Sequence, residues 1–163
     1  MYKLIAIDVD DTLLNDDLVV TEGTRQALEA AVARGVTVTL ATGRMFASAQ
    51  QIARQIELNV PIITYQGALV KTLLDGKVLY ERNVPGDAAL ELYEIVKEQG
   101  LHLQLYVDDT LYGTEDNERI RAYSKQSNIP YRIEPDFGKL IGRPLHKMLM
   151  IDEPEKLDRL AAE

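Results

Sequence analysis

The chain has 163 residues, 46% of them hydrophobic, enough for one respectable core or a small core beside a second small unit, but not for two large domains. Its 26 acidic and 18 basic side chains give a formal charge of -8, which disfavours a nucleic-acid or anionic-membrane partner. It contains no cysteine, which excludes disulfides, zinc-thiolate sites and thiol catalysis.

Met1-Tyr2-Lys3 leads straight into the first apolar run, which leaves no room for a signal peptide. No run approaches the roughly 20 apolar residues needed to span a bilayer, so the expected compartment is the cytoplasm. Leu4-Ile5-Ala6-Ile7 is followed by Asp8-Val9-Asp10-Asp11-Thr12-Leu13. Four apolar residues and then acids read as a strand buried on both faces whose carboxyl end opens into a crevice, where open α/β sheets carry their chemistry. Asp8 and Asp10 are two apart, so extended chain projects them the same way. One can attack or hold a metal while the other moves protons.

Leu18-Val19-Val20 reads as a short hairpin or flap, and Thr21 as the N-cap of a helix through Arg34 that Gly35 ends. Leu28, Ala31 and Val32 are the expected buried face. Val36 to Ala41 is a second strand, followed by Thr42-Gly43-Arg44. A helix with Met45, Ala49, Ile52 and Ile56 at helical spacing leads to a third strand, Pro61 to Thr64. Strand, helix, strand, helix, strand predicts a right-handed parallel sheet. Asp75-Gly76, between Val70 to Leu74 and Lys77 to Tyr80, is a hairpin signal. From Val84-Pro85-Gly86 onward the pattern changes to a second, α+β unit. Its expected elements are a helix to Gln99, strands near Leu101 to Val107 and Leu111 to Tyr112, and a helix from Glu115. A strand near Tyr131, another at Lys147 to Ile151 and a helix from Pro154 to the end follow. Tyr106 and Tyr112 flank a hairpin and suit either core or a substrate platform. His102 and His146 have no second ligand at metal spacing and read as surface or packing residues.

Asp8, Asp10 and Thr12 match D-x-D-x-T, and Ala41-Thr42-Gly43-Arg44 closes the second strand. Together they resemble the first two motifs of the haloacid dehalogenase (HAD) superfamily of phosphohydrolases, in the form used by its Cof-type branch, subfamily IIB. The resemblance covers essentially the whole chain. It implies an α/β fold: a Rossmann-like parallel sheet core over residues 1–83, and an inserted α+β cap of which 84–163 is an incomplete part. It further implies Mg²⁺-dependent hydrolysis of small phosphomonoesters, sugar phosphates among them, through an aspartyl-phosphate. Asp8 would then be the nucleophile and a metal ligand. Asp10 would protonate the leaving alkoxide and later take the proton of water, with its backbone carbonyl facing the metal. Thr42 stands where a hydroxyl binds a phosphoryl oxygen, although an N-cap on the next helix is the bland alternative. Gly43 allows close backbone approach, and Arg44 either neutralises phosphate or pairs with a nearby acid. Asp11, at the variable position, has a solvated or turn role. Gln66-Gly67-Ala68 resembles the N-G-A turn of this branch with glutamine for asparagine. Lys147 faces either substrate or solvent.

The family's third motif supplies a lysine for the phosphoryl group. Its fourth, G-D-x-x-N-D in this branch, supplies acids that complete the Mg²⁺ shell. Neither follows the cap here, so the 163 residues alone are expected to be inactive, to hold the metal weakly, and to leave the first strand as an apolar sheet edge open to self-association. A receiver domain would need an acid at the end of the third strand, where Tyr65-Gln66-Gly67 stands. A phosphomutase of the same superfamily and a non-catalytic metal- or partner-binding fragment remain as alternatives. The partner implied is a small phosphate ester, with no nucleic acid and no membrane.

Overall fold

Short runs rich in β-branched and aliphatic residues, each bounded by turn residues, become strands β1 (Leu4–Asp8), β2 (Thr37–Ala41) and β3 (Pro61–Thr64). The computed structural model describes residues 2–56 and 60–162, so readings placed on Met1 and Glu163 lie outside it. These residues form two compact units, Met1–Arg82 and Asn83–Glu163. None of the described helices is long and apolar enough to cross a membrane.

In the first unit β1 pairs parallel to β2, and β2 parallel to β3. The sheet then turns antiparallel through β4 (Leu69–Thr72) and β5 (Val78–Glu81), giving the order β1-β2-β3-β4-β5. The first three strands thus pair parallel as expected, and the next two form the expected hairpin. The β4–β5 connection is longer than a two-residue turn. Gly76 takes φ 64°, and the Thr72 hydroxyl bonds Asp75 and accepts from the Lys77 N–H.

Helix α1 (Glu22–Ala33) begins where Thr21 Oγ1 accepts the Thr24 N–H at 3.2 Å. It ends at Gly35, φ 78°, with N–H bonds from Gly35 to Val32 and from Val36 to Ala31. Leu28 is buried, but Val32 is exposed, so the buried stripe is narrower than its periodicity suggested. Helix α2 (Phe46–Ala53) passes into a 3₁₀ turn, Arg54–Ile56, that still buries Ile56. On the strands, threonines can be buried because their hydroxyls find main-chain acceptors: Thr39 to Pro61 O and Thr64 to Leu69 O.

The expectation that β1 is buried on both faces is wrong. Leu4 is 59% and Ile5 36% exposed. Among the described residues β1 is an edge strand hydrogen-bonded to β2 alone, and the helices pack chiefly on the inner strands, α1 on β2 and α2 on β3. An apolar run is thus left uncovered on the faces and along one ladder.

The second unit has a four-stranded sheet ordered β8-β7-β6-β9, made of β6 (Leu103–Val107), β7 (Thr110–Gly113), β8 (Tyr131–Ile133) and β9 (Leu145–Met150). β6 and β7 form a hairpin whose two turn residues, Asp108 and Asp109, both have positive φ, the mirror-image turn that matches strand twist. Helix α3 (Gly86–Glu98) lays Ala89, Tyr93 and Val96 against Leu103, Leu105, Val107 and Phe137. Tyr106 and Tyr112 are core rather than platform, and Lys147 Nζ sits 5.5 Å from the Tyr106 ring. Helix α4 (Glu118–Ser127) starts three residues later than expected. Asn117 caps Ile120 N, while Asp116 is taken by Arg121 and the Tyr131 hydroxyl. Helix α5 (Pro154–Ala162) closes the described chain.

Both histidines are buried. The His102 ring lies between the side-chain amides of Gln104 and Asn117, each 3.1 Å from a ring nitrogen. Burial holds its pKa below the ordinary 6.5, nearby Arg119 acts in the same sense, and Glu115 and Asp152 oppose it. The unfolded chain therefore takes up this proton more readily than the folded one. The stabilisation is fully present above the unfolded pKa and is lost as pH falls from there through the lower folded pKa. Thermal melts between about pH 8 and pH 5 should show a midpoint that declines below about pH 6.5, and His102→Asn should flatten that decline. An unchanged slope in the variant would remove the assignment.

Candidate active site

Parallel strands deliver their carboxyl ends to one side of a sheet, and in the first unit three polar turns leave from there. After β1, Val9–Leu13 forms a wide turn closed by Leu14 N–H to Val9 O at 3.1 Å, with Asp11 left-handed at φ 56°. After β2 come Thr42, Gly43 and Arg44. After β3 comes Tyr65–Gly67, in which Tyr65 and Gln66 take φ 53° and 52° and Gly67 98°. Two successive left-handed non-glycine residues cost about 1 kcal/mol each or more, a strain that persists only where surrounding bonds over-determine it. Here they do. Thr42 N–H donates to Ile63 O at 2.9 Å, Tyr65 N–H to Arg44 O at 3.0 Å and Gln66 N–H to Thr42 O at 3.4 Å.

Register places Asp8 opposite Ala41, so Thr42 follows directly beside the end of β1. Asp8 is exposed, and its carboxylate has no hydrogen-bond or salt-bridge partner among the described residues. Asp10 contrasts with it. Arg44 Nε donates to Asp10 Oδ2 at 3.0 Å and Oδ1 at 3.2 Å, and Nη2 donates to Oδ1 at 2.7 Å. Both side chains are partly open to water, 24% for Arg44 and 45% for Asp10, so the pair contributes about 1 kcal/mol at most and positions more than it stabilises. Between the two roles left open for Arg44, the one seen is pairing with an acid.

Thr42 is buried, and its hydroxyl accepts the Arg44 N–H at 3.1 Å. It is not the N-cap of α2; that position is held by Met45 with no side-chain bond. The neighbour that comes close to Gly43 is the Gln66 side chain, whose Nε2 lies 2.6 Å from where a Cβ would stand. Ser48, buried in α2, receives Arg44 Nη1 at 3.1 Å. Sequence reading missed it, because Arg44 precedes the helix that carries Ser48 and no helical spacing links the two. Asp8, Asp10, Thr42, Gly43 and Arg44 are therefore brought together. His102, His146 and Lys147 belong to the second unit.

Carboxylate and main-chain carbonyl oxygens are the hard donors that Mg²⁺ takes. Among the described residues no three acidic or histidine side chains converge on one point, and the Asp10 carboxylate is engaged by Arg44. Asp8, unlike Asp10, has its carboxylate open to a cation.

A family model described as haloacid dehalogenase-like hydrolase matches residues 5–163. YxeH of Bacillus subtilis is 34% identical over 167 residues, 98% of this chain and 61% of that protein. YitU of the same organism, a 5-amino-6-(5-phospho-D-ribitylamino)uracil phosphatase, is 32% identical over 124 residues, 74% of this chain and 46% of its own length. The crystal structure of TM0651 from Thermotoga maritima matches with TM-score 0.86 and 37% identity, over 98% of this chain and 60% of that one. The chain thus spans about 60% of the length of YxeH and TM0651.

Gly43→Ala should cost about 1 kcal/mol or less, because the atom in its way is the free end of a flexible side chain. Gln66→Ala in the same protein should cancel that cost, which a double-mutant cycle by urea denaturation reads directly.

Proposed function

The chain belongs to the haloacid dehalogenase-like hydrolases, and on that footing we propose that the whole protein hydrolyses small phosphomonoesters through an aspartyl-phosphate at Asp8. The observation that carries the proposal is the contrast between neighbouring carboxylates: Asp8 exposed and unpaired at the end of β1, Asp10 two residues on and held by Arg44. An unpaired carboxylate is a competent nucleophile, and a held one is a positioned proton carrier. An Asp8 oxygen bonds phosphorus as the ester oxygen leaves with a proton from Asp10, which enters this step as the carboxylic acid and leaves it as the carboxylate. Water then attacks the phosphorus, gives its proton back to Asp10, and restores the Asp8 carboxylate with release of inorganic phosphate. Thr42 and the strand-end amides around Gly43 would bind phosphoryl oxygens. Mg²⁺, held by the Asp8 carboxylate and the Asp10 main-chain carbonyl, would screen the repulsion between carboxylate and phosphoryl group. YitU, named as a phosphatase, supports the reaction class. We read the first unit as the catalytic core and the second as part of a cap that selects the leaving group. The open edge of β1 we read as the seat of a further strand of the longer protein.

Asp8→Asn keeps the side-chain size and removes the anionic oxygen pair. In the full-length protein it should lower Mg²⁺-dependent release of p-nitrophenol from p-nitrophenyl phosphate by about a thousand-fold or more, with an unchanged thermal midpoint. Near-normal turnover would sink the reading. Residues 1–163 alone should self-associate in sedimentation velocity, and Ile5→Lys, placing a charge on the exposed edge, should shift them to monomer.

A further inference from the structure

An arginine has a donor edge, Nε with one terminal nitrogen, and a second terminal nitrogen that points elsewhere. Arg44 uses both. Its Nε/Nη2 edge grips the Asp10 carboxylate, and Nη1 reaches Ser48 Oγ at 3.1 Å. Ser48, in the first turn of α2, is 3% exposed, so bulk water has little access to replace its oxygen. A guanidinium pinned at both ends cannot turn about its last bond. Removing the Ser48 hydroxyl takes away the anchor opposite the Asp10 edge, and a guanidinium held less firmly orients the Asp10 carboxyl group less sharply.

We propose that Ser48 is a positioning residue for the reaction, acting through Arg44 on the carboxyl group of Asp10. The inference rests on the reading of Asp10 as proton carrier, and it assigns a role to a side chain that meets Asp10 only through Arg44. Its signature is selective. Misplacing a general acid penalises a poor leaving group, which must be protonated, and spares an activated one, which leaves as the anion. A purely structural role for Ser48 would lower both alike.

The test uses the full-length protein with an alkyl phosphate and with p-nitrophenyl phosphate. Ser48→Ala should lower kcat about ten-fold on the alkyl ester and less than about two-fold on the aryl ester, with KM and inhibition by inorganic phosphate unchanged. In an Asp10→Asn background the same substitution should cost nothing further, since the group it positions has gone. Ser48→Cys fills nearly the same volume with a poor acceptor. It should reproduce the selective loss, and it carries the test if the alanine variant does not fold. Equal losses on both esters, or a fully additive loss in the Asp10→Asn background, overturn the proposal. Asp8→Asn separates the two levels. If it is inactive while the Ser48 variants lose equally on both esters, only the positioning role fails; if it stays active, the aspartyl-phosphate reading fails with it.

Discussion

Parallel pairing between β1 and β2, in register from Leu4 opposite Thr37 to Asp8 opposite Ala41, is the constraint on which the candidate site depends. Parallel strands must both leave the sheet at the same end, so the acidic turn after β1 and the Thr42-Gly43-Arg44 turn after β2 become neighbours without any side chain having to draw them together. β3 adds the third turn by the same rule, and main-chain bonds among Thr42, Arg44, Ile63, Tyr65 and Gln66 knit the last two. Side-chain contacts then refine what the ladder has already arranged. The Arg44 grip on Asp10 spans 34 residues of sequence, yet it needs only two adjacent strand ends.

That arrangement was largely legible in the sequence, because a buried apolar run ending in polar residues is a local pattern with one common outcome. The three parallel strands, both helices between them and the grouping of Asp8, Asp10 and Thr42 all follow from it. What Arg44 does was not legible, since a guanidinium serves a phosphate or a carboxylate equally well and only the packed turn decides. Exposure of β1 was misread for a related reason. Leu4-Ile5-Ala6-Ile7 carries the same apolar signal whether helices and strands surround it or whether it lies at an edge with one neighbour. Likewise Val32 repeats at helical spacing with Leu28, but α1 packs on β2 along a stripe too narrow to cover both.

The second unit shows where hydrophobic patterning loses resolution. Tyr106 and Tyr112 lie on opposite faces of the hairpin and both are buried, because α3 takes one face while Tyr123 of α4 meets Tyr106 edge-on across the other. A sheet with helices on both faces gives strands no polar side, and so no alternation to read. The helix start at Glu118 instead of Glu115 has a different origin. Two acids and an amide precede it, any of which can cap, and Asn117 wins because the bonds of Asp116 to Arg121 and Tyr131 occupy its carboxylate.

β1 also has a dynamic consequence. Its residues are tied to the sheet through one ladder, so every second amide along it points away from β2, and no described strand meets it there. Segments secured on one side open locally at lower free energy than those paired on both, and their amides exchange with solvent sooner. The carboxylate of Asp8 therefore rides on the least tethered parallel strand of its sheet, while Thr42 stands at the end of one that is bonded on both sides. How sharply the two are aligned therefore depends on how firmly that single ladder holds β1.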